Sequence, residues 1–124
     1  MVLSGNKLLN NPEIEEDDYI NNLYTKAQIL GMNHKILDSI SVCNLMIDYI
    51  LRKEYFDTAK NLYNLSNAYS CLSANHSMQN DRNEALSCMF KAYEFIKSCI
   101  LKEKNDYYMF SKGYGKNLYY LNML

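Results

Sequence analysis

Between Pro12 and Lys104 the chain holds one glycine, Gly31, and no further proline. So long a stretch without turn residues leaves little besides helix, and the apolar residues recur at helical spacings of three and four. After Pro12, the stripe Ile20, Leu23, Ala27 and Leu30 draws one face of a first helix, with Asn11 as N-cap and Gly31 as terminator. Glu13, Glu15, Glu16, Asp17 and Asp18 place negative charge on the positive end of its dipole. A second helix is predicted after Asn33, with Ile36, Ile40, Cys43, Ile47 and Ile50 inward, breaking near Lys53-Glu54. A third runs from about Tyr55 to Ala74, with Ala59, Leu62, Leu65 or Ser66, and Tyr69 inward. Asn75 to Asp81 reads as a loop. Asp81 then caps a fourth helix, reaching about Lys104, whose stripe is Ala85, Met89, Tyr93, Ile96 and Ile100.

No strand pattern competes, and short loops favour antiparallel neighbours. The expected fold is all-α. It is a compact bundle or a set of stacked helical hairpins, with four long helices and an irregular C-terminal helical tail. Its 124 residues suit one domain, with roughly two-thirds of the unfolded surface buried on folding. Within it, 1–11 is expected to be flexible and 105–124 to form the irregular tail.

Composition narrows the partners. The formal net charge is −1, so no overall field draws the chain to nucleic acid or anionic lipid. No apolar run reaches the roughly 18 residues of a membrane span, and the first eleven residues lack the apolar stretch of a secretory signal. Cys43, Cys71, Cys88 and Cys99 lack the close pairing of a disulfide framework, which points to a reducing, cytoplasmic location. Sixteen Asn and twelve Tyr, residues with AT-rich codons, point to an AT-rich genome.

The run Leu45 to Leu62, LMIDYILRKEYFDTAKNL, resembles the LisH motif. That motif is a short helical hairpin: Leu-Ile-x-Asp-Tyr-Leu, three variable residues, Gly-Tyr, two variable residues, then Thr-Ala and an apolar position. Leu45 and Met46 fill the opening pair, and Asp48, Tyr49, Ile50, Tyr55, Thr58, Ala59 and Leu62 follow in register. Glu54 stands where the family usually has Gly, a departure that costs of order 1 kcal/mol if the position needs positive φ. A fainter echo, FKAYEFIKSC at Phe90 to Cys99, is similar to the helix after LisH in scaffold subunits of multisubunit ubiquitin ligases. There Tyr93 replaces the family's Gln. Together the two matches cover 28 of 124 residues. The resemblance implies dimerisation, with Leu45, Tyr49, Ile50, Tyr55, Ala59 and Leu62 at the interface.

Tetratricopeptide helices offer an alternative. Phe56, Ala59 and Tyr63, then Ala85, Met89 and Ala92, follow a similar small-large-small spacing. The interval from Ala59 to Ala85 is 26 residues, against the repeat's period of about 34.

Residues suited to catalysis or metal binding do not converge in the sequence. His34 and His76 lie beside predicted loops with no Cys-x-x-Cys or His-x-x-x-His, so they read as solvated histidines. Cys88 and Cys99 read as small buried hydrophobes. The acidic run lacks the ligand spacing of a calcium loop, and Gly113-Tyr114-Gly115 lacks the Lys-Ser/Thr of a phosphate loop. No enzyme, cofactor, metal or small-molecule substrate is expected.

The tail carries the one binding chemistry apart from the hairpin. Tyr107, Tyr108, Phe110, Tyr114, Tyr119 and Tyr120 interleave with Lys112 and Lys116, and such aromatics stack on bases while lysines meet phosphates. Residues 85–124 hold six basic and three acidic side chains, residues 1–60 six and nine. The first expectation is thus a helical protein-interaction module with a protein partner or a second copy. A helical-repeat peptide-binding scaffold is second. A ribonucleoprotein- or ribosome-associated factor using the tail is third.

Overall fold

The computed structural model describes residues 12–103, all of it α-helix and turn. Asn11 and the aromatic tail lie outside the described residues. The four helices are α1 (Pro12–Met32), α2 (Ile36–Leu51), α3 (Ala59–Met78) and α4 (Arg82–Glu103). The chain is all-α, as the periodicity predicts. Each helix packs chiefly on its neighbour in sequence, with the α3–α4 interface the most extensive, and α1 also touches α3. The helices therefore form two hairpins, α1–α2 and α3–α4, stacked in sequence order.

Proline needs no N–H at the first helical position, so Pro12 opens α1 without loss. Ile20, Leu23 and Ala27 are buried on one face, as expected. The terminator is not Gly31. The helix continues to Met32, and the residue with a left-handed backbone is His34, at φ 63°. Lys35 N–H reaches Leu30 O at 2.9 Å and His34 N–H reaches Gly31 O at 3.1 Å, a paired bond pattern that satisfies the last carbonyls. The same device ends α3. Asn80 has φ 63°, Asp81 N–H bonds His76 O at 2.9 Å, and Asn80 N–H bonds Ser77 O at 3.0 Å.

Gly31 serves packing instead. A Cβ there would lie 3.2 Å from Asn75 Oδ1 and 3.5 Å from Ser39 Oγ. Gly31 thus marks where α1 comes close to the polar side chains of α2 and α3.

The third helix starts later and ends later than its pattern predicts. Thr58 is extended (ψ 155°) and its hydroxyl accepts from Asn61 N–H at 3.2 Å, an N-cap that leaves Tyr55 to Asp57 outside the helix. At the other end, Asn75 is not a loop residue. It is buried and donates through Nδ2 to Ser39 Oγ at 2.8 Å, so α3 continues to Met78.

In α4 the buried line is Ala85, Cys88, Ala92, Ile96 and Cys99. Tyr93, expected inward, is 40% exposed, and Met89 and Ile100 are only partly buried. The cause is the facing helix. Ser73 Oγ donates to Ala85 O at 2.7 Å, Ser66 Oγ to Ala92 O at 2.9 Å, and Cys99 Sγ to Ala59 O at 3.3 Å. On both helices these positions recur every seven residues, and their small side chains let the two backbones approach. A tyrosine on this line would hold the helices apart.

Candidate interaction surface

The LisH-like run forms the corner between the two hairpins. α2 supplies Leu45, Tyr49 and Ile50, residues 52–58 make the turn, and α3 supplies Ala59 and Leu62. The structure divides these residues between two roles. Ile50, Ala59 and Leu62 are buried in the chain's own core, Ala59 and Leu62 against Ile96 and Cys99 of α4. Leu45 and Tyr55 point outward, 48% and 69% exposed, with Phe56 beside them and Tyr49 half-buried.

Ion pairs fix this corner to its neighbours. Lys53 pairs with Glu16 of α1, and its ammonium lies 5.4 Å from the centre of the Tyr49 ring. Lys60 Nζ meets Asp17 Oδ2 at 2.7 Å, and Lys102 Nζ of α4 meets Asp57 Oδ2 at 3.3 Å. Tyr49 also meets Tyr19 edge-on, ring centres 4.7 Å apart. The acidic run at the start of α1 is thus more than a solvated first turn: Glu16 and Asp17 tie α1 to the corner. Two shallow recesses share Glu16 and Lys53. One, of about 320 Å³, adds Leu45, Asp48, Tyr49 and Arg52; the other, of about 300 Å³, adds Glu54, Tyr55 and Asn61.

Glu54 raises no backbone difficulty. Among the described residues the non-glycine positions with positive φ are His34 and Asn80, so the corner turns without a left-handed residue at 54. Thr58 takes the capping role available to it, and Asn61 Nδ2 closes the turn onto Tyr55 O at 3.2 Å.

At the far end of α2 and α3 from the corner, where both meet α1, lies a polar cluster that the sequence does not announce. Ser39 Oγ donates to Ala27 O at 2.6 Å and accepts from Asn75. The Cys71 thiol is pulled down, first by its hydrogen bond with Cys43 and then by Ser39 and Asn75, against the opposing effect of burial. That same bond and burial push Cys43 up. Tyr24, partly buried near these thiols, is pushed up to about 12, chiefly by desolvation.

The histidines part company. His34 is exposed in its turn, whereas His76 sits in the last turn of α3, partly buried, rather than in a solvated loop. Cys88 and Cys99 are both buried. Tyr107, Tyr108, Phe110, Lys112, Tyr114, Lys116, Tyr119 and Tyr120 lie outside the described residues. Among the described residues, no helix is long and apolar enough to cross a membrane.

Another exposed apolar line escaped the sequence pattern. Leu86, Phe90, Tyr93 and Leu101 of α4 all face solvent, which makes the apolar surface of this helix wider than its buried seam. Their spacing of four, three and eight was visible, but it overlapped the stripe assigned inward. Compared with protein-family models, curated proteins and solved structures, the chain matches none of them.

Proposed function

We propose that the chain is a protein-interaction module that docks a protein partner, a second copy of itself first among them, through the α2–α3 corner. The observation that carries this reading is the outward placement of Leu45, Tyr55 and Phe56 beside Tyr49, on a turn anchored by Lys53, Lys60 and Asp57. Aromatic side chains on a fixed backbone lose little entropy on binding, and Tyr is enriched at interface cores. With Ile50, Ala59 and Leu62 committed to the core, the contact is an outer-surface one, distinct from a shared four-helix core.

Light scattering during size exclusion at tens of micromolar tests the reading, with Leu45→Asp and Tyr55→Asp as probes. Both sites are exposed, so neither change should alter the helical circular dichroism. A dimer that these changes disperse supports the proposal. A monomer, together with a captured partner whose binding ignores both substitutions, refutes it.

A repeat-scaffold reading draws support from a separate observation. Ala27 and Ser39 of the first hairpin correspond to Ser73 and Ala85 of the second, and His34 corresponds to Asn80, each 46 positions on. In both hairpins a serine donates across the seam to an alanine carbonyl. Such recurrence is what a stack of like units requires. This reading expects a monomer that binds an extended peptide along its side, in a manner indifferent to Leu45→Asp.

A further inference from the structure

The α3–α4 turn brings together three side chains that the interaction surface does not use. His76 comes from the last turn of α3, and Glu84 and Cys88 from the first two turns of α4. One imidazole nitrogen, one Glu84 oxygen and the Cys88 sulfur all lie within 4.8 Å of one another. Helical spacing makes this possible: residues four apart share a face, so Glu84 and Cys88 point the same way, towards the histidine on the antiparallel helix. The left-handed Asn80 sets the turn that brings the two helices into register.

We propose that His76, Glu84 and Cys88 bind a divalent cation of the zinc class, with a fourth coordination position open to water. Cys88 Sγ lies 3.9 Å from Glu84 Oε1. Two such ligands on one tetrahedral zinc, at bond lengths of about 2.3 and 2.1 Å, stand about 3.6 Å apart, so small side-chain movements complete the site. A second observation points the same way. His76 Nδ1 is a buried side-chain nitrogen with no hydrogen-bond partner, so that nitrogen can offer its lone pair to a metal without giving up a hydrogen bond.

The ligand set defines the class of ion. Imidazole with thiolate suits zinc, cobalt and related ions and disfavours calcium and magnesium, which demand oxygen. Charge closes as well, because a thiolate and a carboxylate balance a dication. Asp81 is already occupied, its Oδ1 accepting from Glu84 N–H at 3.3 Å. Without metal, burial first and then the nearby Glu84 and Asp81 charges hold Cys88 as the thiol, opposed by Lys91. Binding therefore forms an S–metal bond and releases the thiol proton to solvent, so affinity falls as pH falls.

Cobalt(II) titrated into the untagged full-length chain tests this, read by the charge-transfer absorption that only a cobalt-bound thiolate gives. We expect a saturating band at one cobalt per chain, displaced by zinc. Cys88→Ser should remove the band, and Cys71→Ser should leave it intact. His76→Ala and Glu84→Gln should weaken binding by at least the roughly 10–100-fold lost on changing an outer-sphere partner. Far-UV circular dichroism verifies that each variant is folded. No band in the wild type, a band that survives Cys88→Ser, or a band lost with Cys71→Ser overturns the proposal.

Discussion

Asn75 of the second hairpin donates through Nδ2 to Ser39 Oγ of the first at 2.8 Å, and Ser39 passes the bond on to Ala27 O at 2.6 Å. A single buried chain of hydrogen bonds thus links α3, α2 and α1. Asn75→Ala removes the donor and leaves space behind. The expected loss is about 1–3 kcal/mol, the usual cost of breaking a buried polar pair, read as a lower denaturant midpoint with an unchanged slope.

Gly31 and Asn75 should prove coupled. In an isolated helix Gly31→Ala would be worth up to about 1 kcal/mol of stability. Here the new Cβ meets Asn75 Oδ1 at 3.2 Å, and Asn75 is held by Ser39. We expect Gly31→Ala to destabilise the wild type and to stabilise the Asn75→Ala variant. A double-mutant cycle with no interaction energy would show that Asn75 yields freely.

The two left-handed turn residues should respond unequally to glycine. His34 and Asn80 share a φ of 63°, but asparagine tolerates that conformation better than most residues. His34→Gly should raise stability by about 0.5–1 kcal/mol, and Asn80→Gly by less. Thermal melts of the two single variants check the order.

Alkylation should single out Cys71. Its thiol is brought down by the hydrogen bond with Cys43 and is only partly buried, whereas burial pushes up Cys88 and, to about 11, Cys99. The thiolate is the reactive form. Labelling of Cys71 by iodoacetamide should therefore set in at lower pH than that of the other cysteines, while Cys99 stays inert until far higher pH. Peptide mapping after timed quenching reads the order, and equal rates for all four cysteines would contradict the hydrogen-bonded arrangement.

The four helices were legible because residues such as Ile20, Leu23 and Ala27, or Cys43, Ile47 and Ile50, repeat at helical spacing. The α3–α4 seam was less so. Ranking by hydrophobicity puts Met89 and Tyr93 inside, yet close backbone approach selects Ala85, Ala92 and Cys99, and that choice depends on Ser73, Ser66 and Ala59 opposite. Asn75 looked like turn material because asparagine usually is; only the position of Ser39 makes it a core residue. At the corner, the LisH-like pattern does not separate Leu45 and Tyr55, which face outward, from Ala59 and Leu62, which α4 draws inward. The cluster of His76, Glu84 and Cys88 had no compact sequence signature, because its histidine lies eight residues before the glutamate, across a turn.

Stacking in sequence order has a kinetic meaning. Most contacts join helices adjacent along the chain, so folding closes few long loops, and chains of such local topology reach the native state in microseconds to milliseconds. The order of opening follows from the same arrangement. α4 shares with α3 the most extensive interface, while α1 rests on α2 with only a minor contact to α3, so α1 is the helix that detaches at least cost. Amide exchange near Leu23 would then proceed by sub-global opening, while amides near Leu65 and Ile96 wait for the whole chain to unfold.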